Sequence, residues 1–221
     1  MKTNILNILV IAATSVVSGC ATVSNAPTKS PALAAAGAEV DKAIQGITYS
    51  SSSALAMSYN IRLKPGLPQQ SSQVNKTQGH YTGARVNANR QLVITSTEKS
   101  SYFVGGQLNS AATSFFTDVA NFDGLKVGGI SEFGSKGRTS SHRDAIASSE
   151  SEDIDGYFNL HLNGTTLRKQ NVLITYPFAG QLTENPYQGS GALIIHSDSR
   201  ASLEKLRAAI LHLVDTARTS S

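Results

Sequence analysis

Ser141-His142-Arg143-Asp144 puts a nucleophile, a base and a carboxylate within four residues. A catalytic triad needs those groups brought together by the fold around a buried Asp, whereas neighbours in an extended segment point apart. Gly129-Ile130-Ser131-Glu132-Phe133-Gly134 misses the G-x-S-x-G spacing of a nucleophile elbow by one residue. Glu150, Glu152, Asp153 and Asp155, followed by Gly156, concentrate oxygen ligands. Calcium takes about six to eight oxygens, and the downstream positions here hold Tyr157, Phe158 and Leu160. The histidines at 80, 142, 161, 196 and 212 form no H-x-H or H-x-x-x-H pair. The expectation is therefore a chain with no catalytic residue, no metal site and no cofactor. Between residues 62 and 99 the charges are Arg62, Lys64, Lys76, Arg85, Arg90 and Lys99 against Glu98 alone. Arg62, Lys64, Arg85 and Arg90 are the candidate contacts to an acidic partner or to anionic headgroups; a solvated sheet face is the plainer reading.

The chain begins with Lys2 and a mostly apolar stretch, Ile5 to Val17, too short for a transmembrane helix, and reaches Val17-Ser18-Gly19-Cys20. This segment resembles the signal peptide and lipobox of bacterial lipoproteins, with Val where Leu is commonest. The resemblance implies cleavage before Cys20, a diacylglycerol thioether on its sulfur, and a fatty acyl group such as palmitate on the freed amine. Ala21, in place of Asp, implies passage to the outer membrane rather than retention at the inner one. Cys20 is also the only cysteine. A lone thiol is awkward in an oxidising compartment, and lipidation would consume it.

With 221 residues, 40% of them hydrophobic, the chain can build one core. One Cys excludes a disulfide framework, and a formal charge of +4 is too small to suggest a nucleic-acid binder. Residues 1–19 are expected as signal and 20–31 as lipidated Cys and flexible tether. Residues 32–221 are expected as a single α+β domain with a mobile Ser/Gly-rich loop at about 134–152.

Within that domain, Leu33, Ala36, Val40, Ala43 and Ile44 predict a first helix over 32–45. Leu55, Met57, Tyr59, Ile61 and Leu63 alternate as a strand, and 66–79 reads as a polar loop. Further strands are expected at 81–86, 91–95, 101–104 and 125–130. Leu108, Ala112, Phe115, Val119 and Phe122 recur at helical intervals, with Gly124 as terminator, and predict a helix over 109–122. Asn163-Gly164 predicts a hairpin between 157–162 and 171–176, and 192–196 a central buried strand. Leu203, Leu206, Ile210 and Leu213 predict a closing helix over 199–217, with Glu204, Lys205 and Arg207 facing water. Its Leu203-x-x-x-Arg207-Ala208 run is similar to the Arg-bearing helix of OmpA-like peptidoglycan-binding domains, but the Asp spacing and Tyr-Asn pair of that family are missing. The order suggests a mixed or mainly antiparallel sheet with helices on one face.

The anchor, the tether and the absence of a catalytic constellation lead to one expectation. The chain is a non-catalytic binding or assembly module of the cell envelope, held on the outer membrane, facing the periplasm and partnered by an envelope protein rather than a nucleic acid. The alternative is a lipid or lipopolysaccharide carrier holding its ligand between sheet and helices. A deep apolar pocket would favour the carrier, and an exposed apolar patch rimmed by polar groups the module.

Overall fold

The computed structural model describes residues 23–59, 62, 65–66, 70–134, 138–143, 147–177 and 180–220. Residues 1–19, expected as a signal, and Cys20, Lys64 and Asp144 lie outside the described residues. Two helices, α1 (Pro31–Ile44) and α2 (Arg200–Thr219), bracket ten strands. The strands are β1 (Thr48–Tyr59), β2 (Gln70–Val86), β3 (Gln91–Val104), β4 (Gln107–Asn121), β5 (Lys126–Phe133), β6 (Arg138–Arg143), β7 (Ala147–Asp155), β8 (Tyr157–Tyr176), β9 (Gln181–Glu184) and β10 (Gln188–Ser197). All belong to one antiparallel sheet, ordered β10-β8-β4-β3-β2-β1-β7-β6, with β5 and β9 also paired to β8. The protein is thus mainly β rather than a balanced α+β mixture.

Both helices form where the apolar period places them. Ser30 caps α1 by accepting from the Leu33 amide (3.4 Å), and Pro31 occupies the first turn. Ser199 caps α2 through the Ser202 amide (3.2 Å). Leu33, Val40 and Ile44 of α1 and Leu203, Leu206, Ile210 and Leu213 of α2 are fully buried against Leu92, Ile94, Leu160, Leu162 and Ile195 of the sheet. Each such side chain contributes roughly 1.5–3 kcal/mol on burial. Gly37 lets α1 approach β2 closely, since a Cβ there would lie 2.9 Å from Val86 Cγ2. No helix among the described residues is long and apolar enough to cross a membrane.

Several expectations fail, each because strand pairing outweighs a local signal. Residues 109–121 lie in β4, not in a helix: Phe115, Phe116, Thr113, Thr117 and Val119 favour a strand, and Gly105 and Gly106, both at positive φ, turn the chain so that it pairs along β3. The 66–79 loop is largely strand, because β2 begins at Gln70 and pairs with β1 from the Ser58–Gln70 position onward. The chain passes through Asn163-Gly164 without a hairpin, since β8 is held by β5 and β10 before that point and by β10 and β4 beyond it. The supposed mobile loop at 134–152 contains β6 and most of β7. The tether ends sooner than expected: Pro27 bridges to Asn87, the Ala88 amide donates to Ala26 O (2.8 Å) and the Thr28 amide to Val86 O (3.1 Å). Finally, β10 ends the strand order rather than lying centrally, and its buried residues pack under the helices.

The helices cover only one end of the sheet. The core strand residues lie at 47–49, 81–94, 120–125, 157–162 and 193–195. Beyond them β1, β2, β3, β4 and β8 continue as a sheet that mixes small polar side chains with apolar ones, and neither described helix packs against it.

Candidate functional site

The sheet coils until the end of β10 reaches the start of β1, the part of β1 that β7 leaves unpaired. The Asp198 amide, just past β10, donates to Thr48 O (2.9 Å), and Asp198 Oδ1 accepts from the Ser50 amide (2.7 Å). Inside this coil, above the helix-packed layer, lies a cluster of aromatic and polar groups drawn from six strands. Tyr49, Tyr81, Tyr157 and His196 lie with neighbouring ring centroids 4.7–6.2 Å apart, and Phe133 stacks on Tyr157 at 5.1 Å. Phe133 is exposed and Tyr81 buried, so the rings run from solvent to core.

Register builds the polar part. Tyr49 is opposite Gly79, and Gly79 opposite Glu98. Because position 79 carries no side chain, the Tyr49 ring lies across β2 and its hydroxyl donates to Glu98 Oε2 on β3 (2.7 Å). A Cβ at Gly79 would fall 2.1 Å from that ring. The Tyr81 hydroxyl accepts from the His196 amide (2.8 Å), and His196 Nδ1 donates to Asn159 Oδ1 (2.6 Å). Further along the same face, Arg168 grips buried Asp118 through Nε (2.6 Å) and Nη2 (3.1 Å), while its guanidinium carbon lies 5.0 Å from the Phe116 ring centre.

The electrostatics of the cluster are set mainly by burial. Burial, then the hydrogen bond and charge of Glu98, hold the Tyr49 phenol far above its ordinary value; burial does the same for Tyr81. Burial and the Arg168 charge lower His196 to about 4, so its ring is neutral. Burial pushes the Asp118 carboxyl up, against the pull of Arg168. Burial also lowers the proton affinity of Arg168, but the hydrogen bonds and charge of Asp118 outweigh it and keep the guanidinium charged. At neutral pH the cluster is a set of fixed donors, acceptors and rings.

The residues singled out from the sequence are dispersed. Ser141, His142 and Arg143 lie along β6, and the acidic residues at 150, 152, 153 and 155 are strung along β7 instead of ringing a loop. Ser131 and His161 do meet, Oγ to Nε2 at 3.2 Å, but on an exposed surface. No group of three or more metal-ligating side chains occurs among the described residues. Of the basic candidates, Arg62 is exposed in the β1–β2 connection and Arg85 on β2. Arg90 is committed inside the protein: its guanidinium donates to Ala217 O and to Ser220 O (3.3 Å) at the C-terminal end of α2, where a cation complements the helix dipole. These residues make no single patch. The interior cluster escaped sequence reading because its members come together only through register across the sheet.

A second feature lies on the opposite face of the bare sheet. Two rows of cross-strand neighbours, Thr97–Phe115–Asn171–Glu184 and Lys99–Thr113–Leu173–Leu182, run over β3, β4, β8 and β9. Tyr176 beside Ala111 and Leu108 beside Phe103 continue the same face. Phe115 (44%), Tyr176 (44%), Leu182 (52%) and Leu108 (36%) are thereby left exposed. No family model, no curated protein and no solved structure matches this chain.

Proposed function

We propose that this chain is an outer-membrane lipoprotein, anchored by lipid on Cys20, whose bare sheet docks an envelope protein without catalysing a reaction. The observation that carries this reading is the exposed band of Leu108, Phe115, Tyr176 and Leu182, bordered by Lys99, Lys169 and Glu184 on the same face. An apolar patch with a polar rim on a protein surface marks an interaction site. Packing favours docking over carriage of a lipid. Leu33, Ile44, Leu92, Ile94, Leu160, Leu206 and Ile210 fill the layer between helices and sheet, each at 1% exposure or less.

Placement of the anchor argues for a protein rather than the bilayer as occupant of the band. Ala26–Thr28 run beside the β2–β3 turn, at the helix end of the sheet. The segment from Cys20 to Ala26 reaches at most roughly 20 Å. From that turn, the 14 residues of β3 extend about 45 Å to the opposite end. A chain tethered at Cys20 therefore carries its bare end away from the membrane.

The test uses the full precursor expressed in a Gram-negative host with a clickable palmitate analogue and an amine-reactive crosslinker. The chain should take up label, and Cys20→Ser should abolish it. A Phe115→Lys, Leu182→Lys double variant should keep its melting temperature and its label while losing crosslinks to envelope proteins. Label that persists in Cys20→Ser refutes the anchor, and crosslinks that persist in the double variant refute the docking face.

A further inference from the structure

Arg168 lines a cleft of about 290 Å3 between β8 and the β9–β10 connection, together with Gln170, Asn185, Gln188 and Ser190. The cleft lies apart from the exposed apolar band, because Arg168 and Gln170 share the face of Asp118 and Ser114 while Leu182 and Phe115 share the other. Asp118 is 3% exposed and takes Nε and Nη2 of the guanidinium, whose side chain is still 43% exposed. Phe116 lies against the guanidinium. Two hydrogen bonds and a ring contact thus fix its plane, while Nη1 makes no hydrogen bond to a described residue.

A buried ion pair seldom improves stability over apolar residues of the same volume. What this pair does achieve is orientation: Asp118 holds one edge of the fork, and the free edge is presented with little rotamer entropy left to lose on binding. A planar guanidinium edge matches a carboxylate, which accepts two parallel N–H bonds. The rest of the lining is uncharged, with the amides of Gln170, Asn185 and Gln188 and the Ser190 hydroxyl beside Pro186 and Gly189; Gln170 and Ser190 already bond to Ser114 and Ala192, which leaves Asn185 and Gln188 to meet an amide group next to that carboxylate. The volume accommodates one or two small residues. We infer that this cleft binds the C-terminal carboxylate of a peptide, with Arg168 as the anchoring residue and Gln188 and Asn185 as contacts to the last peptide group.

The experiment titrates the full chain with acetyl-alanyl-alanine, followed by amide chemical-shift changes in NMR. Saturable binding is expected, with shifts centred on residues 168–170 and 185–190. The same peptide with an amidated C-terminus should bind at least tenfold more weakly, because the fork then loses its anionic acceptor. Gln188→Glu places a like charge beside the carboxylate at an exposed position, and should weaken binding at least tenfold while leaving the melting temperature unchanged. Arg168→Lys keeps the charge but loses the fork, and should weaken binding to a similar degree; if that variant fails to fold, Gln188→Glu still decides. Absence of saturable binding, equal affinity for the amidated peptide, or indifference to Gln188→Glu would each overturn the assignment. Whichever way this titration falls, it leaves the docking face and the Cys20 anchor to their own test.

Discussion

His196 sits between the rings of Tyr49 and Tyr157 and donates its Nδ1 proton to Asn159, and no carboxylate among the described residues is hydrogen-bonded to its ring. Burial, with smaller effects from Arg168 and His161, lowers its pKa from an ordinary 6.5 to about 4. In the unfolded chain the ring takes up a proton near 6.5, whereas the folded protein resists until about 4. Within that window the unfolded state binds more protons, so stability falls as the pH drops from 6.5 to 4 and stops falling on this account below 4. The full difference is on the order of 3 kcal/mol. Urea midpoints measured across pH 7.5 to 4 should decline, and His196→Asn should decline distinctly less, since the carboxylates titrate alike in both. Parallel curves for the two proteins would show that His196 is not held neutral by the fold. Nothing in the local sequence announced this residue: it sat among scattered histidines, and Tyr49, Gly79 and Glu98 are equally remote from one another along the chain. Gly79 is the most instructive case. In Gln78-Gly79-His80 it reads as loop, yet its purpose is to let a tyrosine cross a strand.

Elements were legible in proportion to how locally they are determined. Both helices carry caps and an apolar stripe within their own span, and both lie within two residues of where the sequence places them. The strands are determined by partners outside their own span, some just across a turn and others, such as β8 for β4, about fifty residues away. The 4-3-4-3 spacing of Leu108, Ala112, Phe115, Val119 and Phe122 therefore imitated a helix, whereas in β4 it divides between faces, Phe115 outward and Ala112 toward the interior cluster. On α2 the stripe can be tested against its flanks. Leu206→Ala should cost about 2–5 kcal/mol by opening a cavity under a fully buried position. Lys205→Ala, at an exposed position, should stay within about 0.5 kcal/mol. Arg207, expected to face water, instead donates through Nε to Gly128 O on β5 (2.8 Å), so Arg207→Ala should cost about 1 kcal/mol. Denaturant unfolding of the three variants checks the ranking Leu206, Arg207, Lys205; any other order means that α2 is not seated on the sheet as described.

At the scale of the whole molecule, the chain between β5 and β8 is an excursion that leaves and returns at one point. Phe133 is paired with Tyr157, and Gly134 packs so tightly against Gly156 that a Cβ at 156 would collide with its carbonyl oxygen. Beyond that clamp, β6 and β7 form a hairpin laid along the outer edge of β1, and none of their described side chains belongs to the hydrophobic core. Among the described residues, the core, the interior ring cluster and the contact between β10 and β1 are on the near side of the clamp. Deleting residues 137–150 removes β6 and the first part of β7 while keeping Gly134 and Gly156. The remaining segment closes between ends already held together, and loop-closure entropy changes only slowly with length. The cost should be the lost pairing along the distal half of β1, not the loss of the fold. The shortened chain is therefore expected to unfold in one cooperative transition, to keep the helical circular dichroism of α1 and α2, and to show a smaller denaturant slope because less surface is exposed on unfolding. Loss of cooperativity, or of the helical signal, would mean that the hairpin supports the coil of the sheet, and that β1 is not held in place by β2 and the Asp198 contacts alone.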